Sequence, residues 1–166
     1  MKMKTLFALV VALSLTVAVC PAPAGMVKLP KEGALASLTF PDSWKVKAEG
    51  DNFEAESADE EVYLYAEVID TDSVDAALKE SVAYLEKEKV QVKKGTEKQH
   101  EDKVNGIPVM DFSFDGVDKD GPCKISLTIL IVSKTKCISV LYWASEEGEK
   151  KHAEDLKKIY ESIKPA

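Results

Sequence analysis

The stretch Lys124–Trp143, KISLTILIVSKTKCISVLYW, is the most apolar part of the chain after its N-terminal segment. Lys134 and Thr135 interrupt it near the middle, and a two-residue turn there predicts a β-hairpin that is apolar on both faces. A sheet of that kind needs cover on both faces. We therefore expect this hairpin in the middle of an antiparallel sheet, with the other elements packed around it.

Two turns predict the register of three consecutive strands. A turn at Asp120-Gly121 joins a strand over 107–117 to the hairpin and sets three pairs opposite each other: Phe114 and Leu127, Phe112 and Ile129, Met110 and Ile131. The turn at Lys134-Thr135 predicts three more: Leu127 and Tyr142, Ile129 and Val140, Ile131 and Ile138. Both registers place these large apolar residues on one face, which predicts a three-stranded meander. The opposite face is predicted to carry Leu130, Val132, Cys137, Leu141 and Trp143.

The rest of the chain predicts further strands, two helices and one domain over residues 34–166. The predicted strands are 34–40, 44–48, 53–57, 62–70 and a polar edge strand within 90–104 that ends at the hairpin turn Asn105-Gly106. One helix is predicted over 73–89 with Asp72 as its cap. The other follows Ser145, with a buried stripe of Ala153, Leu156, Ile159 and Ile163. This order predicts an α+β protein in which helices cover both faces of an antiparallel sheet.

The N-terminal segment predicts export. A basic start, the apolar run 6–19 and the cleavage pattern Ala22-Pro23-Ala24 are typical of a secretory signal peptide, here residues 1–24. Residues 25–33 would follow as a flexible segment. Cys20 leaves a lipid anchor open as an alternative, although the preceding residue is larger than is usual before an acylated cysteine. We therefore expect a periplasmic or secreted bacterial protein.

The charge of the chain limits its partners. The net charge is −7, and all 22 basic residues are lysine. An acidic chain is a poor match for the phosphates of nucleic acid or for anionic lipid. The absence of arginine from the sequence also disfavours sites that grip phosphate or carboxylate through two hydrogen bonds at once. After residue 24 no stretch of the sequence is long and apolar enough to predict a transmembrane span.

The reactive residues of the sequence predict no catalytic, cofactor or metal site. Cys123 and Cys137 are expected to be buried and unpaired, because the predicted register puts them far apart on opposite faces. His100 and His152 are expected to be solvated surface residues, so neither would activate a cysteine. The acidic segments at Asp51, Asp59-Glu60-Glu61 and 115–121 fit solvated turns better than ion sites, since 115–121 lacks the ligand spacing of an EF-hand.

Aromatic residues on the predicted strands allow two interpretations. Tyr63, Tyr65 and Trp44 could line a groove, but aromatic side chains on strands more often build core. The groove interpretation would suit a domain that binds a small ligand or a divalent metal ion.

Three short motifs carry a resemblance to a known family. These are the turn Phe40-Pro-Asp-Ser-Trp44-Lys, the pair Asn105-Gly106 before the meander, and the closing helix Ile159-Tyr-Glu-Ser-Ile163-Lys. In this order they resemble the PsbP-like/DcrB-like superfamily of exported proteins over nearly the whole chain after the signal peptide. The resemblance implies an α/β/α sandwich and action by binding proteins, as accessory subunits of photosystem II or as envelope and transport factors. It implies no catalytic residue.

Two hypotheses of function follow. The first is a non-catalytic binding or accessory module that contacts another envelope protein through the loops 53–61 and 41–44. The alternative is a periplasmic domain that binds a small ligand or a divalent metal ion.

Overall fold

The computed structural model describes residues 25–166, so the predicted signal peptide and Cys20 lie outside the described residues. The described strands are β1 (Met26–Leu29), β2 (Ala36–Thr39), β3 (Lys45–Glu49), β4 (Asn52–Glu56), β5 (Val62–Ile69), β6 (Gln91–Val92), β7 (Lys98–Val104), β8 (Ile107–Asp118), β9 (Gly121–Ile131), β10 (Cys137–Ser145) and β11 (Lys164–Pro165). The described helices are α1 (Val74–Lys87), α2 (Glu146–Lys151) and α3 (Ala153–Ser162). Within this range no helix is long and apolar enough to cross a membrane.

The strands form two antiparallel sheets. The large sheet has the order β3-β4-β5-β10-β9-β8-β6, and β7 also pairs with β8. The small sheet has the order β1-β2-β11. The hairpin β9–β10 lies inside the large sheet, between β5 and β8, as its two apolar faces predict. The α+β class with a large antiparallel sheet is therefore confirmed.

Each face of the large sheet has its own core. On the first face, α1 packs through Ala77 and Leu85 against apolar side chains of β8, β9 and β10. On the second face, α3 packs through Ile159, and the small sheet adds Leu29 and Leu38. The molecule is thus the predicted sandwich with helices on both faces. The small sheet shares the second face with α3, which the sequence does not indicate.

The predicted register between β8 and β9 is wrong by two residues. Asp118 lies opposite Gly121, so the turn falls at Lys119-Asp120 and Phe112 pairs with Leu127. The Asp118 carboxylate accepts hydrogen bonds from the backbone N–H groups of Asp120 and Gly121, at 2.8 and 3.0 Å, and this local bonding sets the position of the turn. Because a shift of two residues keeps the period of a strand, the predicted faces of β8 and β9 remain correct.

The predicted register between β9 and β10 is wrong by one residue, and that error exchanges the faces of β10. Ile131 pairs with Cys137, so residues 132–136 form the connection instead of a two-residue turn. Leu141 therefore lies opposite Leu127 on the face that α1 covers. Ile138 and Val140, which were predicted beside Ile131 and Ile129, lie on the face that α3 covers.

Helix α1 is fixed to the sheet by a buried polar contact. Ser73 caps the helix, one residue later than predicted, and accepts a hydrogen bond from the Ala76 N–H. Ser81 lies on the buried side of α1, and its hydroxyl is 2.8 Å from that of Ser139 on β10. This contact requires Ser139 to face α1, as the observed register places it.

Three other elements differ from their predictions. The segment 25–33, expected to be flexible, contains β1, which pairs with β2. The polar segment 90–104 forms two strands, β6 and β7, on the same neighbour β8. The final helix is divided at His152 into α2 and α3, because His152 ends one helix and begins the next.

Candidate functional site

A pocket of about 400 Å³ opens at one end of the large sheet, and we call it the acidic pocket. It is built where six elements meet: β4, β8 and β10 end here, β5 and β9 begin here, and the residues after α1 close one side. Its lining consists of Glu56, Glu60, Glu61, Tyr63, Glu88, Val90, Asp118, Lys119, Asp120, Pro122, Trp143, Ala144 and Ser145.

Negative charge dominates the acidic pocket. Six of the described lining residues are carboxylates and one is a lysine. Glu60 has a partner outside the pocket in Lys45, at 2.7 Å, and this hydrogen bond lowers the pKa of Glu60. Asp120 lies 3.7 Å from Lys119 in an exposed pair, which water screens. The pocket therefore carries a local excess of negative charge that favours a cationic group.

One wall of the acidic pocket is aromatic. Tyr63 on β5 and Trp143 on β10 lie directly opposite each other in the sheet, with ring centroids 4.4 Å apart. The Tyr63 hydroxyl is 3.1 Å from that of Tyr84 on α1. Burial raises the pKa of Tyr63. Its neutral ring presents an apolar, electron-rich surface. Acidic groups beside aromatic rings can hold an ammonium or guanidinium group together with its apolar stem.

The turn that supplies Glu60 and Glu61 to the acidic pocket is held by hydrogen bonds through Asp59. The Asp59 carboxylate accepts from Ser57 at 2.7 Å and from Lys151 at 2.5 Å, and it lies 2.9 Å from His152 Nε2. The hydrogen bond from Lys151 is the main reason that the pKa of Asp59 is well below its usual range. These bonds attach the turn to the junction of α2 and α3.

Gly148 brings α2 against the same turn. A side chain at this position would place its Cβ 2.9 Å from the Glu61 carbonyl oxygen. Ser145 caps α2 by accepting from the Gly148 N–H and also donates to the Glu61 carboxylate at 3.1 Å. The sequence around Ser145 therefore positions one wall of the acidic pocket as well as starting a helix.

His152 is not the solvated surface residue that the sequence predicts. Its side chain is 14% exposed and lies between Asp59 and Asp155. Trp44, 2% exposed, packs edge-on against the imidazole and donates its indole N–H to Asp155 at 3.4 Å. The loop 41–44 therefore supports the junction of α2 and α3 from the core and does not line the acidic pocket.

A second opening lies between the large sheet and helices α2 and α3, and we call it the helix groove. It measures about 570 Å³. Its residues are Lys98, Gln99, His100, Asp111, Phe112, Ser113, Ser126, Thr128, Tyr142, Glu149, Lys150, Ala153, Leu156, Lys157 and Tyr160. Asp111 accepts from Thr128 at 2.5 Å and from Tyr160 at 3.1 Å, and Glu149 accepts from Tyr142 at 3.0 Å. The groove thus carries two hydrogen-bonded carboxylates in a mixed polar and apolar wall.

The remaining sequence candidates are dispersed. Cys123 and Cys137 are buried and free, but they share one face of the sheet instead of lying on opposite faces. In the observed register they are still roughly 26 Å apart along the strands, at about 3.3 Å per residue. Burial raises the pKa of the Cys123 thiol to about 11.

Tyr65 stacks on Tyr84 at 3.8 Å and is buried. In the part of the chain that the structure describes, no group of three or more acidic, histidine or cysteine side chains is arranged to hold a metal ion.

Comparisons with known proteins show the fold. No family model matches the sequence, and no curated protein matches it. The solution structure of cyanobacterial PsbP (CyanoP) from Synechocystis sp. PCC 6803 superposes with a TM-score of 0.59 at 9% identity, over 86% of this chain and 94% of CyanoP. The crystal structure of LpqN, involved in cell envelope biogenesis of Mycobacterium tuberculosis, gives 0.53 at 11% identity, over 87% and 86%.

A third structure extends the comparison. A Bacteroides thetaiotaomicron VPI-5482 protein superposes with a TM-score of 0.58 at 12% identity, over 87% of this chain and 49% of its own, so the chain spans about half of that protein. Identities this low show the fold alone. The chain therefore has the fold of PsbP-like proteins, as its resemblance to the PsbP-like/DcrB-like superfamily implied.

Proposed function

We propose that this protein is an exported, non-catalytic binding module that holds a lysine- or arginine-bearing segment of another envelope protein in the acidic pocket. The observation that carries the proposal is the convergence of six carboxylates around the exposed edge of the Tyr63–Trp143 pair. The structural similarity to LpqN, a protein involved in cell envelope biogenesis, supports a role in the envelope.

The geometry of the acidic pocket suits a basic side chain better than a free metal ion. A metal ion needs several oxygen ligands at about 2–2.6 Å from one point. Here the carboxylates come from separate elements, and one wall is apolar. A lysine or arginine side chain instead lays its stem on an aromatic face and directs its charge toward several carboxylates at once. Aromatic residues are also enriched among those that contribute most to protein interfaces.

The two tryptophans make a direct test possible, because they lie on opposite faces of the sheet. In an NMR titration of the labelled protein with an unlabelled oligolysine peptide, we expect the Trp143 indole N–H signal to shift while that of buried Trp44 stays in place. The affinity should fall steeply as salt is added, because the attraction is between exposed charges. An oligoglutamate peptide of equal length should leave both signals unchanged.

A matched pair of variants assigns the binding to the pocket. Glu56→Gln with Glu88→Gln removes two carboxylates of the pocket, and Glu101→Gln with Asp102→Asn removes the same charge from exposed β7. We expect the first pair to weaken oligolysine binding about tenfold or more and the second pair to weaken it little. Equal loss in both pairs, or a Trp143 signal that does not move, would refute the proposal.

The helix groove supports a second candidate function, the binding of a small ligand. Its volume of about 570 Å³ lies within the usual range of ligand sites, and tyrosine, leucine and hydrogen-bonded carboxylates line it. Ala153→Trp would fill the groove, whereas Lys158→Trp changes an exposed residue of the same helix that does not line it. A ligand from a thermal-shift library that stabilises the wild type and the Lys158→Trp variant but not the Ala153→Trp variant would support this function. Equal stabilisation of all three would remove it.

A further inference from the structure

The hairpin turn between β7 and β8 is attached to the end of α3 by one side chain. Asn105 and Gly106 form the turn, both with positive φ, at 47° and 88°. The Asn105 side-chain amide donates to the carbonyl oxygens of Glu161 at 2.9 Å and Ile163 at 2.6 Å. Glu161 lies in the last turn of α3 and Ile163 is its C-cap, and carbonyls at this end of a helix lack partners inside it. The amide therefore satisfies two groups at once and joins the edge of the sheet to the C-terminal end of α3.

We propose that Asn105 is a site of spontaneous deamidation and that its conversion releases the C-terminal end of α3 from the hairpin. The proposal is independent of the binding function proposed above. Asn105 and Gly106 are both exposed, and glycine has no side chain to hinder attack by its own backbone nitrogen. Nothing lies within 4 Å of the position that a Cβ on Gly106 would take, so the space beside Gly106 is open.

The chemistry needs only the chain and water. The Gly106 backbone nitrogen attacks Asn105 Cγ and loses its proton, the Cγ–Nδ2 bond breaks, and the amide nitrogen leaves as ammonia. The cyclic imide that remains is opened by one water molecule, which yields either aspartate or isoaspartate at position 105. No oxidant, reductant or further reactant takes part.

The product cannot restore the attachment. In aspartate a second acceptor oxygen replaces the amide nitrogen and its two donor hydrogens, so a negative charge would face the carbonyl oxygens of Glu161 and Ile163. An acceptor that faces other acceptors is repelled, and the helix end must separate from the turn. Ile163 leads directly into β11, which pairs with β2, so the loosening would reach the small sheet.

The sequence contains its own control for the first half of the proposal. Asn52 is the only other asparagine in the chain, and the residue after it is the fully buried Phe53. The bulk of Phe53 hinders the backbone nitrogen that would have to attack. In folded wild-type protein incubated at mildly alkaline pH, peptide mapping by mass spectrometry should find aspartate and isoaspartate at position 105 well before position 52. Conversion at 105 no faster than at 52 would overturn the assignment of the site.

A pair of variants tests the second half without waiting for the reaction. Asn105→Asp places the product in a turn that accepts Asp-Gly readily, so folding should be preserved. Gln91→Glu adds the same charge at an exposed position of β6, which pairs with the far end of β8 at Val117. Hydrogen exchange at the Ile163 amide, which bonds to the Tyr160 carbonyl, should accelerate on the order of tenfold in Asn105→Asp and remain unchanged in Gln91→Glu. Exchange at Ile163 that is equal in the two variants would overturn the proposed release.

Discussion

Replacement of Ser81 and Ser139 by alanine, singly and together, would decide the register of the central hairpin. The two hydroxyls are buried and 2.8 Å apart, and Ser81 also donates to the Ala77 carbonyl at 3.0 Å. Because the Ser81 proton is used in that bond, the Ser139 hydroxyl donates to Ser81. Ser81→Ala therefore leaves a buried donor without a partner.

The magnitudes follow from this arrangement. Ser81→Ala should lower the free energy of unfolding by about 1–3 kcal/mol, the usual cost of an unsatisfied buried polar group. Ser139→Ala should cost about 0.5–1.5 kcal/mol, because Ser81 keeps its bond to Ala77. The double variant buries neither hydroxyl, so its loss should fall short of the combined single losses by roughly 1–2 kcal/mol.

Urea unfolding of the four proteins, followed by far-UV circular dichroism, measures this coupling. The m-values should agree among the four, so that differences in midpoint report differences in stability. Single losses that add to within about 0.5 kcal/mol would refute the contact. The register that places Ser139 on the opposite face from α1 would give that additive result.

Three further predictions concern the turn beside the acidic pocket and the buried thiol. Gly148→Ala should lower the stability by about 1–3 kcal/mol, measured by thermal unfolding, because the added methyl group meets the Glu61 carbonyl; an unchanged melting temperature would contradict this contact. Cys123 should react with a thiol reagent at pH 8 far more slowly in the folded than in the denatured protein. Burial raises the pKa of the Cys123 thiol from about 9 to about 11, so the buried neutral thiol contributes fully to stability below pH 9, and this contribution is lost as the pH rises toward 11. Equal reaction rates in the folded and the denatured protein would contradict the burial of Cys123. Asp59→Asn should lower the melting temperature at pH 7 and lose that effect in acid. The pKa of Asp59 is lowered in the folded protein, so the Asp59 carboxylate stabilises the wild type above the ordinary pKa of 3.8, and this stabilisation is lost as the pH falls further. A difference in melting temperature between variant and wild type that persists in strong acid would show that His152 and the turn are held in another way.

The faces of the strands could be predicted wherever a turn carried its own signal. Asn105-Gly106 is such a signal, and Val104 lies opposite Ile107 as expected. Lys134 and Thr135 are not residues that adopt positive φ readily, so a tight two-residue turn there had little local support. The chain instead uses a longer connection, in which the Ser133 N–H bonds to the Lys136 carbonyl. An odd difference in register then exchanged the faces of β10.

The candidate site was harder to predict because its parts are distant in the sequence. The loop 53–61 was expected to be functional, and it supplies Glu56, Glu60 and Glu61 to the acidic pocket. From the sequence, Asp118 and Asp120 are interpreted as parts of a polar turn, and in the structure they do lie at one. Trp143 was assigned to the wrong face, so its pairing with Tyr63 could not be foreseen. The missing signal was the topology, which brings the ends of β4, β8 and β10 to one end of the large sheet.

The small sheet also brings the two ends of the described chain together. Strands β1 and β11 flank the same four-residue strand β2, so Met26 and Pro165 lie on one side of the molecule, a few strand residues apart. A short linker between them would allow circular permutation, with new ends in the exposed loop at Lys134-Thr135. A fusion partner or surface tether joined at Met26 or at Pro165 would likewise leave from the side that α3 covers. The side of the large sheet that carries α1 and the Tyr63–Trp143 pair would then stay accessible to a binding partner.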